Sequence, residues 1–177
     1  MARKVSAFFI IALLTTVCLF SVERQCFALR SDSLTARIVR VHDGDTVSVL
    51  IGKKKERVRL IGIDAPEIGQ KPWGAKAMKH LEGLLRDSGL TVTLEFDIDR
   101  RDKHGRLLAY LWTGNGKCIN LQMLKDGYAA LFTFPPNVKH ANALREGQRY
   151  ARDRGLGIWG RDGLREAPQN YRQKHPR

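Results

Sequence analysis

The chain has 177 residues, 43% hydrophobic and 28% charged, and its 31 lysines and arginines against 18 acidic residues give a formal net charge of +13. That balance excludes a disordered chain, and about 150 residues beyond the first stretch suffice for one domain around a single core. So large a positive surplus on a small body attracts polyanions, so nucleic acid is the expected partner class, with solubility or anionic-surface binding as the plain alternative.

The first residues read as a targeting segment. Residues 1–4 are basic, and residues 5–20 form an apolar run broken only by Ser6, Thr15 and Thr16. Cys26-Phe27-Ala28 then places small residues at the spacing a signal peptidase favours. Residues 1–28 are therefore expected to be a signal peptide, with the protein exported, secreted or periplasmic. The run is long for a cleaved signal and short for a spanning helix of roughly 20 residues, so an uncleaved membrane anchor is the alternative. Cleavage would leave Cys118 as the one cysteine, which excludes an intramolecular disulfide. The cysteines form no zinc constellation.

The folded part opens with two β-branched segments, over 35–41 and 46–51, separated by the turn residues His42-Asp43-Gly44-Asp45. A second turn at Gly52 leads to a third strand over 56–63, and the three make a meander. A loop over 64–72 carries Pro66 and Pro72, and a helix follows over 74–85, with Ala77, Leu81, Leu84 and Leu85 on one side. Alternation predicts a fourth strand over 90–96 and a fifth over 107–112, with a charged loop between them. A short helix is expected over 120–125 and a longer polar one over 137–154. The tail, residues 163–177, is basic, polar and expected to be loose. The order is that of an α+β, mainly β domain over 29–162. It suits a five-stranded OB-type barrel with about three helices, among other small barrels.

Three short stretches carry the chemistry: Asp43-Gly-Asp-Thr46, Arg59 through Glu67, and Asp102-Lys-His-Gly-Arg106. Hydrolysis of a phosphodiester needs its charge neutralised, a water positioned and activated, and a leaving oxygen stabilised. Asp45 and Asp64 stand at strand ends that a meander makes neighbours, and carboxylates of this kind suit calcium or magnesium rather than zinc. Glu67, three residues on, can face a water beside the metal. Arg59 and Arg106 arrive from different strands and can grip phosphate oxygens through two nitrogens each. Taken singly, each residue is as well explained by a turn, a cap or a solvated strand face; only the joint arrangement points to a metal-assisted phosphodiesterase.

With those residues in view, the chain resembles the staphylococcal nuclease, or thermonuclease-like, family. The match runs through Asp43-Gly-Asp-Thr46, Arg59 with Gly62-Ile-Asp-Ala-Pro-Glu67, Asp102-Lys-His-Gly-Arg106 with Leu108-Ala-Tyr110, Gly127-Tyr-Ala and Gly157-Ile-Trp-Gly160. The resemblance implies an OB barrel with three helices, one bound Ca2+ ion, and hydrolysis of DNA and RNA to 3′-phosphate ends. It implies Asp45, Asp64 and the main-chain carbonyl of Ala65 as metal ligands. It makes Glu67 the general base and Arg59 and Arg106 the phosphate-gripping arginines. Phe132 and Phe134 stand where the best-known member has two tyrosines that contact the nucleotide; they keep a stacking face and lose the hydroxyl. Lys103 is a candidate phosphate contact beside Arg106. The expected partners are DNA and RNA, single-stranded by preference, with no obligate protein partner and a monomeric state. The rival reading is a catalytically weak nucleic-acid-binding OB module, against which the intact Asp45, Arg59, Asp64, Glu67 and Arg106 argue.

Overall fold

A computed structural model describes residues 33–176 of the chain. The signal and anchor expectations fall on residues outside these. Five strands close into a barrel in the order β1-β2-β3-β6-β5. They are β1 Ser33–Val41, β2 Thr46–Ile51, β3 Lys54–Leu60, β5 Thr91–Glu95 and β6 Leu107–Trp112. All neighbours are antiparallel except β3 and β6, which run parallel with Arg59 opposite Leu108. Period-two alternation turns Val47, Val49, Val58, Leu60, Val92, Leu94, Ala109 and Leu111 inward, each at most 1% exposed. The barrel therefore encloses a packed core. This is the expected OB-type α+β architecture, with four α-helices among the described residues where about three were expected.

The expected strand over 56–63 is in fact two. β3 stops at Leu60, and β4, Gly62–Asp64, leaves the barrel to pair with β7, Ala130–Phe132. Asn120 manages the break: fully buried, it donates from Nδ2 to the carbonyl of Ile61 at 2.8 Å and accepts from the Leu111 amide at 2.9 Å. Main-chain groups that a continuous ladder would have paired thus keep partners. The consequence is that Asp64 is carried out of the barrel wall towards the loop that follows it.

Helix α1, Trp73–Asp87, buries Ala77, Leu81 and Leu85 at helical spacing. Helix α2, Ile119–Lys125, buries Ile119, Met123 and Leu124, and α3, Ala141–Asp153, begins four residues later than its expected start at 137 and buries Leu144 and Ala151. The tail expected to be loose contains helix α4, Pro168–Lys174. Pro168 stands in its first turn, where the missing N–H costs nothing and the fixed φ favours the helix.

Candidate active site

Two close backbone approaches shape the site. A Cβ on Gly44 would lie 2.5 Å from the Cβ of Ala65 and 2.8 Å from that of Ala77. Only glycine lets the turn before β2 press against the loop after β4 and the flank of α1. Across that contact the Ala65 amide donates to Asp45 Oδ2 at 2.8 Å. A Cβ on Gly74 would meet the Glu67 carbonyl at 2.0 Å, so a second glycine lets the start of α1 support the loop that carries Glu67. Gln70 holds the same loop by accepting from the Glu67 amide at 3.0 Å.

Asp45, Arg59, Asp64 and Glu67, drawn from β2's approach, β3, β4 and the following loop, meet at this point. Arg59 bridges the two aspartates: Nη1 lies 2.9 Å from Asp45 Oδ2, and Nη2 lies 3.0 Å from Asp64 Oδ1. Thr46 Oγ1 donates to the other oxygen of Asp45 at 3.0 Å. The aspartates are 6% and 3% exposed. Burial pushes the Asp45 carboxyl up to about 6, against the opposing pull of the Arg59 guanidinium, and the nearby Asp43 carboxylate pushes the same way as burial. Burial also raises Asp64, with Arg172 and Arg59 opposing. Two acids kept out of water and disfavoured as anions form a pocket that gains from added positive charge.

Arg172, from α4, supplies such charge and was not anticipated from the sequence. Its Nη1 donates to Asp64 Oδ1 and to Glu67 Oε1, both at 2.9 Å, and its Nη2 donates to Asp64 Oδ2 at 2.8 Å. The pairing with both carboxylates raises the Arg172 pKa although burial alone would lower it. Its only sequence signal was a proline followed by good helix formers, Pro168 to Lys174.

The donor set fits a hard divalent cation. It is all oxygen, and its buried carboxylates already hold cationic groups at hydrogen-bond distance. Among the described residues no group of three or more acidic, histidine or cysteine side chains is arranged as a ready-made metal site; Asp45, Asp64 and Glu67 are joined through Arg59 and Arg172 instead. An ion here would therefore draw on Asp45, Asp64 and the Ala65 carbonyl and keep water for the rest of its shell.

The other anticipated residues lie further out. Arg59 stands opposite Leu108 of β6, and Arg106 lies two residues before Leu108, just ahead of that strand. Asp102 receives Arg106 Nε at 2.6 Å and orients its side chain. Lys103 is exposed on the turn beside it and meets none of the four central residues. Phe132 and Phe134 are 36% and 70% exposed, and their rings stack at a centroid distance of 6.5 Å and an interplanar angle of 11°. Phe132 pairs with Gly62, two residues before Asp64, so the aromatic pair flanks the strand that delivers the second aspartate.

The sequence agrees with this geometry. The profile of the staphylococcal nuclease homologue family matches residues 57–161. The chain is 36% identical over 129 residues to a thermonuclease of Staphylococcus intermedius, covering 70% of this chain and 75% of the relative. It is 32% identical over 130 residues to a thermonuclease of Staphylococcus hyicus, covering 71% and 75%. It is also 37% identical over 131 residues to endonuclease YncB of Bacillus subtilis, covering 70% of this chain and 61% of the relative. A closed five-stranded barrel, a paired-aspartate pocket bridged by arginine and these matches together place the chain in the staphylococcal nuclease family.

Proposed function

We propose that this protein is an exported, Ca2+-dependent nuclease that hydrolyses DNA and RNA, single strands by preference, to 3′-phosphate ends, acting as a monomer with one bound ion. The observation that carries the reading is the convergence of Asp45, Arg59, Asp64 and Glu67 at one end of the barrel. Asp45, Asp64 and the Ala65 carbonyl would hold the cation, which when bound neutralises phosphate charge and lowers the pKa of water. Glu67 takes the proton of the attacking water. Arg59 and Arg106 grip the phosphate oxygens and meet the charge that builds on them as the new P–O bond forms. The bond from phosphorus to the 5′ oxygen breaks, that oxygen gains a proton, and the phosphate stays on the 3′ end. Stacked Phe132 and Phe134 offer a base platform that needs no sequence.

The test is cleavage of single-stranded DNA and RNA by the purified chain, with Ca2+ and then with excess chelator. Ca2+-dependent cleavage with 3′-phosphate ends is expected. Tight, salt-sensitive binding with no cleavage in any divalent ion would instead identify a binding module.

A further inference from the structure

Arg172 contacts the two side chains that a cation and an activated water would need, and it does so from outside the barrel. We propose that helix α4 is an autoinhibitory strap, in which Arg172 occupies the carboxylate pair Asp64 and Glu67 and must be displaced for a divalent cation to bind. The inference deepens the reading above, since it assumes that these carboxylates are the cation site.

The geometry is that of a competitor. The Arg172 guanidinium covers both oxygens of Asp64 at 2.8 and 2.9 Å and reaches Glu67 Oε1 at 2.9 Å. A second cation against the same oxygens would stand within a few ångströms of a fixed positive charge, and the two would repel one another. One of the two has to leave. Arg59 differs in that its backbone belongs to β3, a strand of the closed barrel, whereas Arg172 stands on a short helix outside it.

The strap is seated by contacts that belong to no other function described. Trp73 Nε1 donates to the Asp162 carbonyl at 3.1 Å, and Gln70 Nε2 to the Glu166 carbonyl at 2.8 Å. The Tyr171 hydroxyl packs over Gly69, where a Cβ would lie 2.3 Å away. Lys174 pairs with Glu166 within the strap. These are few and mostly polar, and of α4 only Pro168 is buried. A seven-residue helix held this way belongs to the least stable part of a fold and can detach while the barrel stays intact. Gln70 couples the two events, because the same side chain accepts from the Glu67 amide and donates to the strap.

The experiment titrates the full chain with CaCl2 by calorimetry, for wild type, Arg172→Ala and Tyr171→Ala. It also follows amide exchange of the Tyr171 and His175 N–H groups, which bond to Ala167 and Tyr171, with and without saturating Ca2+. Arg172→Ala should bind Ca2+ about tenfold tighter or more, Tyr171→Ala should shift the same way, and Ca2+ should speed exchange of those amides in the wild type. Equal or weaker affinity in Arg172→Ala overturns the proposal, and so does exchange unchanged by Ca2+. Wild type and variants that all fail to bind Ca2+ would overturn the cation-site reading together with it, whereas equal binding by all three removes the strap alone.

Discussion

Two clusters of buried acid on this molecule behave in opposite ways. At the candidate site, Asp45 and Asp64 sit side by side and burial raises both. On another part of the barrel, Glu95 at the end of β5 is equally buried, at 3% exposure, yet its carboxyl is held below the ordinary glutamate value. Burial pushes Glu95 up, but Lys139, His140 and Trp112 overcome it. Lys139 Nζ lies 2.8 Å from Oε1, and His140 and Trp112 donate to Oε2 at 2.9 and 2.7 Å. Both oxygens of Glu95 have partners, as those of the aspartates do, but here the partners outweigh burial. The aspartates share Arg59 between them and repel one another. In one cluster the partners outweigh burial; in the other, burial outweighs Arg59 and Arg172 and raises both acids, so that added positive charge would be favoured there.

The comparison can be broken experimentally. Glu67→Gln should cut turnover by about 10²- to 10⁴-fold, the span of a general base, with thermal stability near wild type; turnover within tenfold of wild type would remove Glu67 from that role. Glu95→Gln should do the reverse, lowering stability by about 1–3 kcal/mol in urea unfolding while leaving turnover close to wild type. Asp64→Asn, measured with chelator, should change stability by less than Glu95→Gln, because burial already disfavours the Asp64 charge and its removal offsets part of the lost arginine bonds. A larger loss at Asp64 would contradict the contrast drawn here.

The pH dependence sharpens the same point. Since Glu95 has a lower pKa folded than unfolded, it contributes stability that is fully present above about 4.5 and is lost as pH falls through the folded value. Urea midpoints followed downward from about pH 5 should therefore fall less steeply in Glu95→Gln than in wild type. Parallel curves would show that the glutamate is not held below its ordinary value. The smallest effect is expected outside both clusters. Phe134→Ala should raise KM for single strands by about tenfold, the worth of roughly one stacked base, with kcat little changed.

How far the sequence carried these conclusions follows from range. The strands of the barrel were legible because alternation is local, and the four central site residues because each lies in a short motif beside a strand end. The break at Ile61 was not legible, since it depends on Asn120, 59 residues away, donating to the Ile61 carbonyl. β7 is only three residues long and owes its existence to β4. The tail read as loose because its composition is polar and basic; what seats it is a tyrosine over a glycine and an arginine on distant acids, which no local pattern contains. Arg106 was expected to converge with Arg59; it lies just ahead of β6, whose Leu108 stands opposite Arg59, and Asp102 holds it beside its own turn.

Barrel closure also governs how the molecule meets its own copies. β1 pairs with β2 along one side and with β5 from Ser33 to Arg37 along the other, so among the described residues every barrel strand has a neighbour on both sides over part of its length. The open rims among the described residues are short, such as residues 54–57 of β3 on its β6 side and the three residues each of β4 and β7. Topology thus limits the length of strand edge on which copies of this protein could pair, leaving its charge free to serve encounter with polyanions.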